Sequence, residues 1–419
     1  MYDLHLTAEQ IEMRDTVRDF VAREIKPAAL HPGRLEPFAK PLLDDLLAKA
    51  SQMGLRTSAL AEDAGGAGAD CMTSCIVMEE LAAGEVDIAV VLGHTAALAP
   101  CVFALMSGEQ RTRFFAKFST DDAFHLAFAG QDPQAGLGWS YHRPLVAGDA
   151  PELSAAKHGN GDWLINGTLS FVANAPIAQL FVAQARTDPK KTGANGLSAF
   201  MVPCGTPGLT VGNPPPAVGS ARADGEPVNR WFHGTGATVS FKDCRVGADS
   251  LLGKEGQGAL GGAGALRGYL QTAAINLGVG RAAYEAAVDY AKLRRQGGRN
   301  IIEHQAIGTK LADCAIKLEL ARTMIWKAAW VLDHPEAVAD RSVADLPLHV
   351  IARVYTAEAV NDVALLAAEC FGAMGVMRDM PLQKYVHDAM VFLHSDDNDG
   401  AAKLAIAEAV AGYQRPIAA

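Results

Sequence analysis

The stretch "AIGTKLADCAIKLELARTMIWKAAWVL", Ala306 to Leu332, sets apolar residues at Ile307, Leu311, Cys314, Leu318, Ala321 and Ile325. A spacing of three or four residues is the stripe of an α-helix buried along one side in a bundle. Around it, everything after "LLGKEGQG" (Leu251 to Gly258) reads as helix. Before it lie "DWLINGTLSFVAN", "LFVAQART", "LSAFMVP", "LTVG" and "ATVSFKDCRV", short runs rich in β-branched and aromatic residues. Gly, Pro, Asn and Asp separate them, so they predict a β-domain of several short strands. "GNPPPAVGSARADGEP" is a loop by composition.

From Leu6 to about Lys117 the pattern is helical again. Thr7 and Gln10 form a capping box ahead of Ile11, Val17, Phe20, Val21 and Ile25, and Pro27 is expected to break that helix. "MEELAAGEVDIAVVLGHTAALAPCVFALM" predicts two further helices. The order helices, strands, helices describes a multi-domain α+β chain divided at 1–120, 121–250 and 251–419. A chain of 419 residues is too long for one compact core.

The net charge of −10, from 47 acidic against 37 basic residues, argues against nucleic-acid or anionic-membrane binding. Seven cysteines without a repeated spacing fit reduced thiols in a cytoplasm, and no metal site is expected. "MYDLHLTAEQ" lacks the basic and apolar regions of a secretory signal. The apolar run from Ile88 to Met106 is interrupted by Gly93, His94, Thr95 and Pro100, which predicts buried helix pieces rather than a membrane span. The composition is that of a soluble, cytoplasmic protein.

One acidic knot stands out: "FLHSDDNDG", Phe392 to Gly400. As a calcium loop it fails on spacing, because Ile406 falls where the bidentate glutamate belongs. Asp399, just before "GAAKLAIAEAV", suits a helix N-cap. Asp396 remains as a candidate base.

The C-terminal third carries a family resemblance. "YAKLRRQGGRNIIEHQAIGTKLADCAIKLELAR" resembles the acyl-CoA dehydrogenase superfamily's "YA-x-x-R-x-x-F-G-x-x-I-x-E-H-Q" helix pair. "ECFGAMGVMRDMPLQKYVHDAMV" is similar to its "Q-x-F-G-G-x-G-x-x-x-x-x-P-x-x-x-x-x-R-D-A" segment, and "VSFKDCRVGADSLLGKEGQG" to its lead-in to the last domain. The resemblance implies an N-terminal helical domain, a middle β-barrel-like domain and a C-terminal four-helix bundle. It also implies FAD as cofactor, in a homotetramer whose partner chain helps to hold it.

Laid on this chain, the family's catalytic glutamate falls on Asp396, one methylene shorter. Nitroalkane oxidases, a branch of the superfamily, are similar here: they carry an aspartate base and, seven residues on, a cation, which here is Lys403. The flavin loop is matched by "QDPQAGLG", with Gln131, Pro133 and Gly136 at flavin positions and Leu137 where a phosphate-binding serine is usual. "FVAN" stands for "W-I-T-N", so Phe171 would pack on the flavin and Ala173 replaces a hydroxyl. Arg294, Gln305, Gly372 and Asn398 match further cofactor contacts. Tyr269 stands where thioester dehydrogenases usually carry an arginine.

The expected function is FAD-dependent oxidation in which Asp396 removes a proton next to an electron-withdrawing group. A nitroalkane-oxidase-like reaction, with O2 as final acceptor, is the first expectation. An acyl-thioester dehydrogenase passing electrons to an electron-transfer flavoprotein is the second. A non-catalytic relative without FAD is the third.

Overall fold

The structure is a computed structural model, and it describes residues 4–34, 41–130, 153–191, 196–212, 232–256, 260, 263–377, 379–394 and 400–412. Helix α1 (Ala8–Phe20) begins at the expected capping box. Thr7 Oγ1 accepts from the Gln10 N–H at 3.1 Å, and Gln10 Oε1 accepts from the Thr7 N–H at 3.0 Å. Pro27 does not break the helical path as expected. A π turn over Val21–Ile25 leads straight into α2 (Lys26–Ala29), where Pro27 occupies the first turn. The π turn, in which the Lys26 N–H donates to the Val21 carbonyl, shifts the hydrogen-bond ladder just ahead of the proline.

The N-terminal domain continues with α3 (Asp44–Gln52), α4 (Cys71–Gly84), α5 (Val86–Leu105) and α6 (Gly108–Gln110). Glu85, in an extended conformation, separates α4 from α5. The run expected to fall into pieces is one continuous 20-residue helix, α5, with Pro100 inside it. By length and composition α5 and the stretch Leu348–Val376 are apolar enough to cross a membrane. In the fold, Ile88, Val91, Leu92, Ala96 and Val102 of α5 are at most 2% exposed, so tertiary packing decides the matter.

Among the described residues eight strands form one sheet: β1 (His125–Ala129), β2 (Ser154–His158), β3 (Asp162–Ala173), β4 (Ala178–Arg186), β5 (Leu197–Pro203), β6 (Leu209–Val211), β7 (Gly236–Val246) and β8 (Leu251–Leu252). Their order is β6-β7-β3-β2-β4-β5-β8, with β1 parallel to β4. Among the described residues the sheet is open, ending at β6 and β8. Trp163, Ile165, Phe181, Phe200, Val239 and Phe241 pack its core.

The C-terminal domain starts with α7 (Ala263–Leu293) and a short hairpin of β9 (Arg295–Gln296) and β10 (Arg299–Asn300). It continues with α8 (Gln305–Asp333), α9 (Glu336–Ala339), α10 (Leu348–Phe371), α11 (Leu382–His394) and α12 (Gly400–Ala411). Helices α7, α8, α10 and α11 pack together as the expected bundle, and α12 lies on α10. Leu311, Cys314, Leu318, Ala321 and Ile325 of α8 are buried as their spacing predicts. Cys71 and Cys75 are buried at the start of α4, and all seven cysteines are free.

Helix α4 joins the two helical domains. An ideal Cβ at Gly278 would lie 2.4 Å from the Glu79 carbonyl oxygen, so α7 approaches α4 with bare backbone there. Beside this contact two buried carboxylates meet three arginines. Glu80 takes bidentate hydrogen bonds from Arg281 at 2.8 and 2.7 Å and from Arg18 at 2.6 and 3.2 Å. Glu79 takes another such pair from Arg322 of α8, at 2.8 and 3.2 Å. Burial pushes the Glu80 carboxyl upward, but the hydrogen bonds from Arg281 and Arg18 outweigh it and leave its pKa below the ordinary value.

Glu80→Leu removes the bidentate partner of Arg281, whose side chain is only 14% exposed and keeps Glu79 at 3.3 Å. It should lower unfolding stability by about 3 kcal/mol in urea titration, and Glu80→Leu with Arg281→Met should recover most of the loss. A second expectation concerns His125, 3% exposed on β1. Burial first, and then the charge of Arg56, push its pKa down to about 4 from the usual 6.5. Neutral His125 therefore supports the fold above pH 6.5, and that support fades as the pH falls towards 4. The melting temperature should drop across this window by an amount equivalent to roughly 3 kcal/mol, and His125→Gln should flatten the drop.

Candidate active site

Strand β3 ends in a corner where sheet and helices are joined. Asn174 follows it in a left-handed conformation, φ 62°, and is fully buried. Its Nδ2 donates to the Val91 carbonyl at 3.0 Å, to Thr95 Oγ1 at 3.3 Å and to the Leu126 carbonyl at 3.4 Å. One short amide thus ties β3 to α5 and β1. Just before it, Ala173 pairs with Gly236 across β7. The ring of Phe171 lies over Gly236, where a Cβ would come within 2.2 Å of it, and packs on Phe232 with centroids 4.7 Å apart.

The chain leading into β7 carries the corner to the bundle. Gly234, at φ 71°, donates its N–H to Asp87 Oδ1 at 2.8 Å. His233 Nε2 meets the Asp388 carbonyl oxygen at 3.0 Å, and its ring packs on Phe392 with centroids 4.5 Å apart. With the carbonyl as acceptor, that nitrogen carries the proton. A buried ionic group lies alongside. Lys384 Nζ is 2.7 Å from Asp388 Oδ2 and 3.7 Å from Glu85 Oε1, and Arg34 is 3.6 Å from Glu85 Oε2. Burial alone would lower the Lys384 pKa, but Asp388, Glu85 and Asp87 outweigh it and hold it raised. The ammonium stays charged and ties α11 to the junction of α4 and α5. Helix α11 ends at His394, immediately before the acidic knot.

The predicted site residues fall in three described places. Phe171 and Ala173 stand at the sheet corner. Arg294, Gln305 and Gly372 gather at the other end of the bundle, where Tyr290 of α7 stacks on Phe371 of α10 with centroids 4.1 Å apart. Arg294 and Gln305 are exposed there. Ile275 of α7 lies against Gly93 of α5, and Arg294 is 19 residues further on. At 1.5 Å per residue that is about 28 Å. Lys403, expected to support the base, pairs with Glu358 of α10 on the bundle's surface. Asp396 and Asn398, like Gln131, Pro133 and Gly136, lie outside the described residues.

Sequence reasoning missed Glu85, Asp87, His233, Lys384 and Asp388. Two signals were present: acids inside the apolar "AAGEVDIAVV", and Lys384 four residues before Asp388 on one helix face. His94, set aside as a core histidine, is half-buried, and its Nε2 accepts from the Phe128 N–H at 3.4 Å.

The aromatic corner and the exposed guanidinium of Arg294 lie in a chain of three domains, helical, sheet and helical. Family models for the acyl-CoA dehydrogenase N-terminal, middle and C-terminal domains match residues 7–122, 147–228 and 266–410. An acyl-CoA dehydrogenase of Bacillus subtilis (strain 168) is 33% identical over 93% of this chain and 94% of its own length. The mitochondrial short-chain specific acyl-CoA dehydrogenase of Homo sapiens is 29% identical over 93% and 88%. The structure of butyryl-CoA dehydrogenase from Megasphaera elsdenii shares the fold, with a TM-score of 0.78 and 24% identity over 98% of this chain and 100% of the other. The chain belongs to the acyl-CoA dehydrogenase family, whose members are FAD-dependent oxidoreductases.

The residues present fit that cofactor. Phe171, its ring seated over Gly236, offers an apolar wall for a flat ring system, and Arg294 offers a cation for a diphosphate. Ala173 supplies no hydroxyl, so hydrogen bonding there falls to backbone. Gly236→Ala must displace the Phe171 ring, and it should cut the FAD retained on purification, read as the ratio of visible to ultraviolet absorbance. Phe171→Leu in the same chain should restore it.

Proposed function

We propose that the protein is an acyl-CoA dehydrogenase, forming an α,β double bond in an acyl thioester. The observation that carries this is similarity to an acyl-CoA dehydrogenase at 33% identity along 93% of the chain. The nitroalkane oxidase expectation rests on Asp396 and Lys403, on the motifs "GGRNIIEHQ" and "KLADCAIKLE", and on Tyr269 where thioester dehydrogenases usually carry an arginine. Lys403 pairs with Glu358 on the bundle's surface. FAD supplies the hydride acceptor when bound. Asp396 is the base that removes the α-proton. Phe171 excludes water from one side of the reacting region, so the carboxylate meets less solvent and competes less with leaking protons.

Arg294, Gln305 and Gly372 then serve the cofactor of another subunit, since about 28 Å of α7 separates Arg294 from the helix contact beside the Phe171 corner. This supports a homo-oligomer, with a tetramer as the form the resemblance implies. The electron acceptor in this reading is an electron-transfer flavoprotein, and the compartment is the cytoplasm.

Anaerobic titration decides between the readings. Butyryl-CoA should bleach the flavin's visible band and nitroethane should leave it unchanged; the reverse result would overturn the proposal. Asp396→Asn should retain FAD and slow reduction by roughly 10²–10⁴-fold.

A further inference from the structure

We propose that His387 is a proton-linked positioning residue of the flavin corner: with its imidazole charged, α11 is held against the chain leading into β7, and the corner keeps the form that takes FAD. The proposal rests on FAD as the cofactor and not on which substrate is oxidised.

The family segment that matches "ECFGAMGVMRDMPLQKYVHDAMV" ends in Arg-Asp-Ala, where this chain has His387, Asp388 and Ala389. A permanent cation has thus given way to the side chain whose charge ordinarily changes near neutral pH. His387 lies on α11, and its Nδ1 is 3.8 Å from Asp388 Oδ1. Its side chain is 19% exposed and exchanges protons with solvent, whereas that of Asp388 is fully buried.

The charged groups around it come from several segments. Lys384 and Asp388 share α11, and Glu85 and Asp87 stand at the start of α5. Arg34 comes from the N-terminal domain and His233 from the lead into β7. Helices α7 and α10 pack on α11 through Leu382, Tyr385 and Ala389, and the titratable groups of that layer are Tyr284, Tyr290, Tyr385 and Cys370. Glu85, Asp87 and Asp388 have side chains at most 1% exposed, and buried carboxylates gain from each cation within reach. His233 Nδ1 also stands 3.9 Å from Asp87 Oδ1 and from Asp388 Oδ1. Its ring is buried, however, and its Nε2 proton goes to the Asp388 carbonyl. His387 is the imidazole of the pair that solvent reaches.

The group acts on the corner over a short path. His233 and Gly234 are bound by Asp388 and Asp87, and Gly236, two residues on, lies under the Phe171 ring. With His387 charged, Asp388 has a further cation beside it and stays buried at this contact. With His387 neutral, the carboxylate gains more from hydration, which favours withdrawal of α11 from the β7 lead and loosens the seat of Phe171. The proton and FAD therefore favour the same form, and each strengthens the binding of the other. Affinity for FAD is highest at the acid end and falls as the pH rises and His387 loses its proton.

The experiment dilutes the FAD-loaded protein at several pH values between about 6 and 8.5 and follows the rise in flavin fluorescence, which gives the dissociation constant. For the native chain this constant should rise about tenfold across the range. In His387→Arg, which restores the family's cation, it should stay near the native low-pH value throughout. In His387→Gln it should stay near the native high-pH value. His387→Lys supplies a second fixed cation should the arginine variant fail to fold. A histidine with a purely structural role would shift the constant in these variants without removing its pH dependence. A flat native profile, or a slope that persists in His387→Arg or His387→Lys, would overturn the proposal. No substrate enters the measurement, so the acyl-CoA reading stands or falls separately, by its own anaerobic titration.

Discussion

Two adjacent carboxylates in the middle of α4, Glu79 and Glu80, govern how the helices of two domains meet. Helix α4 is buried along its whole length. Charges there are tolerable only if each finds a cation in good geometry. Arg18 comes from α1, Arg281 from α7 and Arg322 from α8, so the requirement fixes three helices at once. The gain is chiefly in register, since apolar residues of similar volume would pack as well or better. A slip of α7 by one residue would rotate Arg281 by about 100° and break its paired hydrogen bonds to Glu80.

The same constraint recurs at the C-terminal end of α4. Glu85, Lys384 and Asp388 are each at most 3% exposed, and they join α11 to the turn between α4 and α5. His233 and Gly234 extend the connection to the sheet through Asp388 and Asp87. Three domains therefore meet on hydrogen-bonded charge rather than on apolar surface alone. Such contacts are directional, and they position α11, which runs straight into the stretch carrying the candidate base.

Local features were legible in the sequence because their causes are local. The Thr7–Gln10 box needs only two residues three apart, and the α8 stripe needs only its own periodicity. Strands such as Trp163–Ile165–Leu169 declared themselves by composition. Where long-range packing decides, the reading departed from the fold. Pro27 was absorbed by a π turn, and Pro100 stayed inside α5 because the helix is buried on several sides. Lys384 reads as an ordinary surface residue until Glu85, 299 positions earlier, is placed beside it. The family resemblance found Phe171, Ala173 and Arg294 but gave no role to His387, since only the buried Asp388 beside it makes that imidazole unusual.

Helix α7 links these observations into one device. Its 31 residues carry Tyr269 and Gln271 towards one end, and Arg294 follows directly after the other. Arg281 and Gly278 lie between, held to Glu80 and to the backbone of α4. A helix pinned near its middle and packed along its length transmits that placement to both ends. The clamp on α4 thus sets how Gln271 meets Gly93 and also where Arg294 stands on the outer surface. Loss of the clamp would shift both together, so the packing of α7 on α5 and the placement of Arg294 are not independent features of this chain.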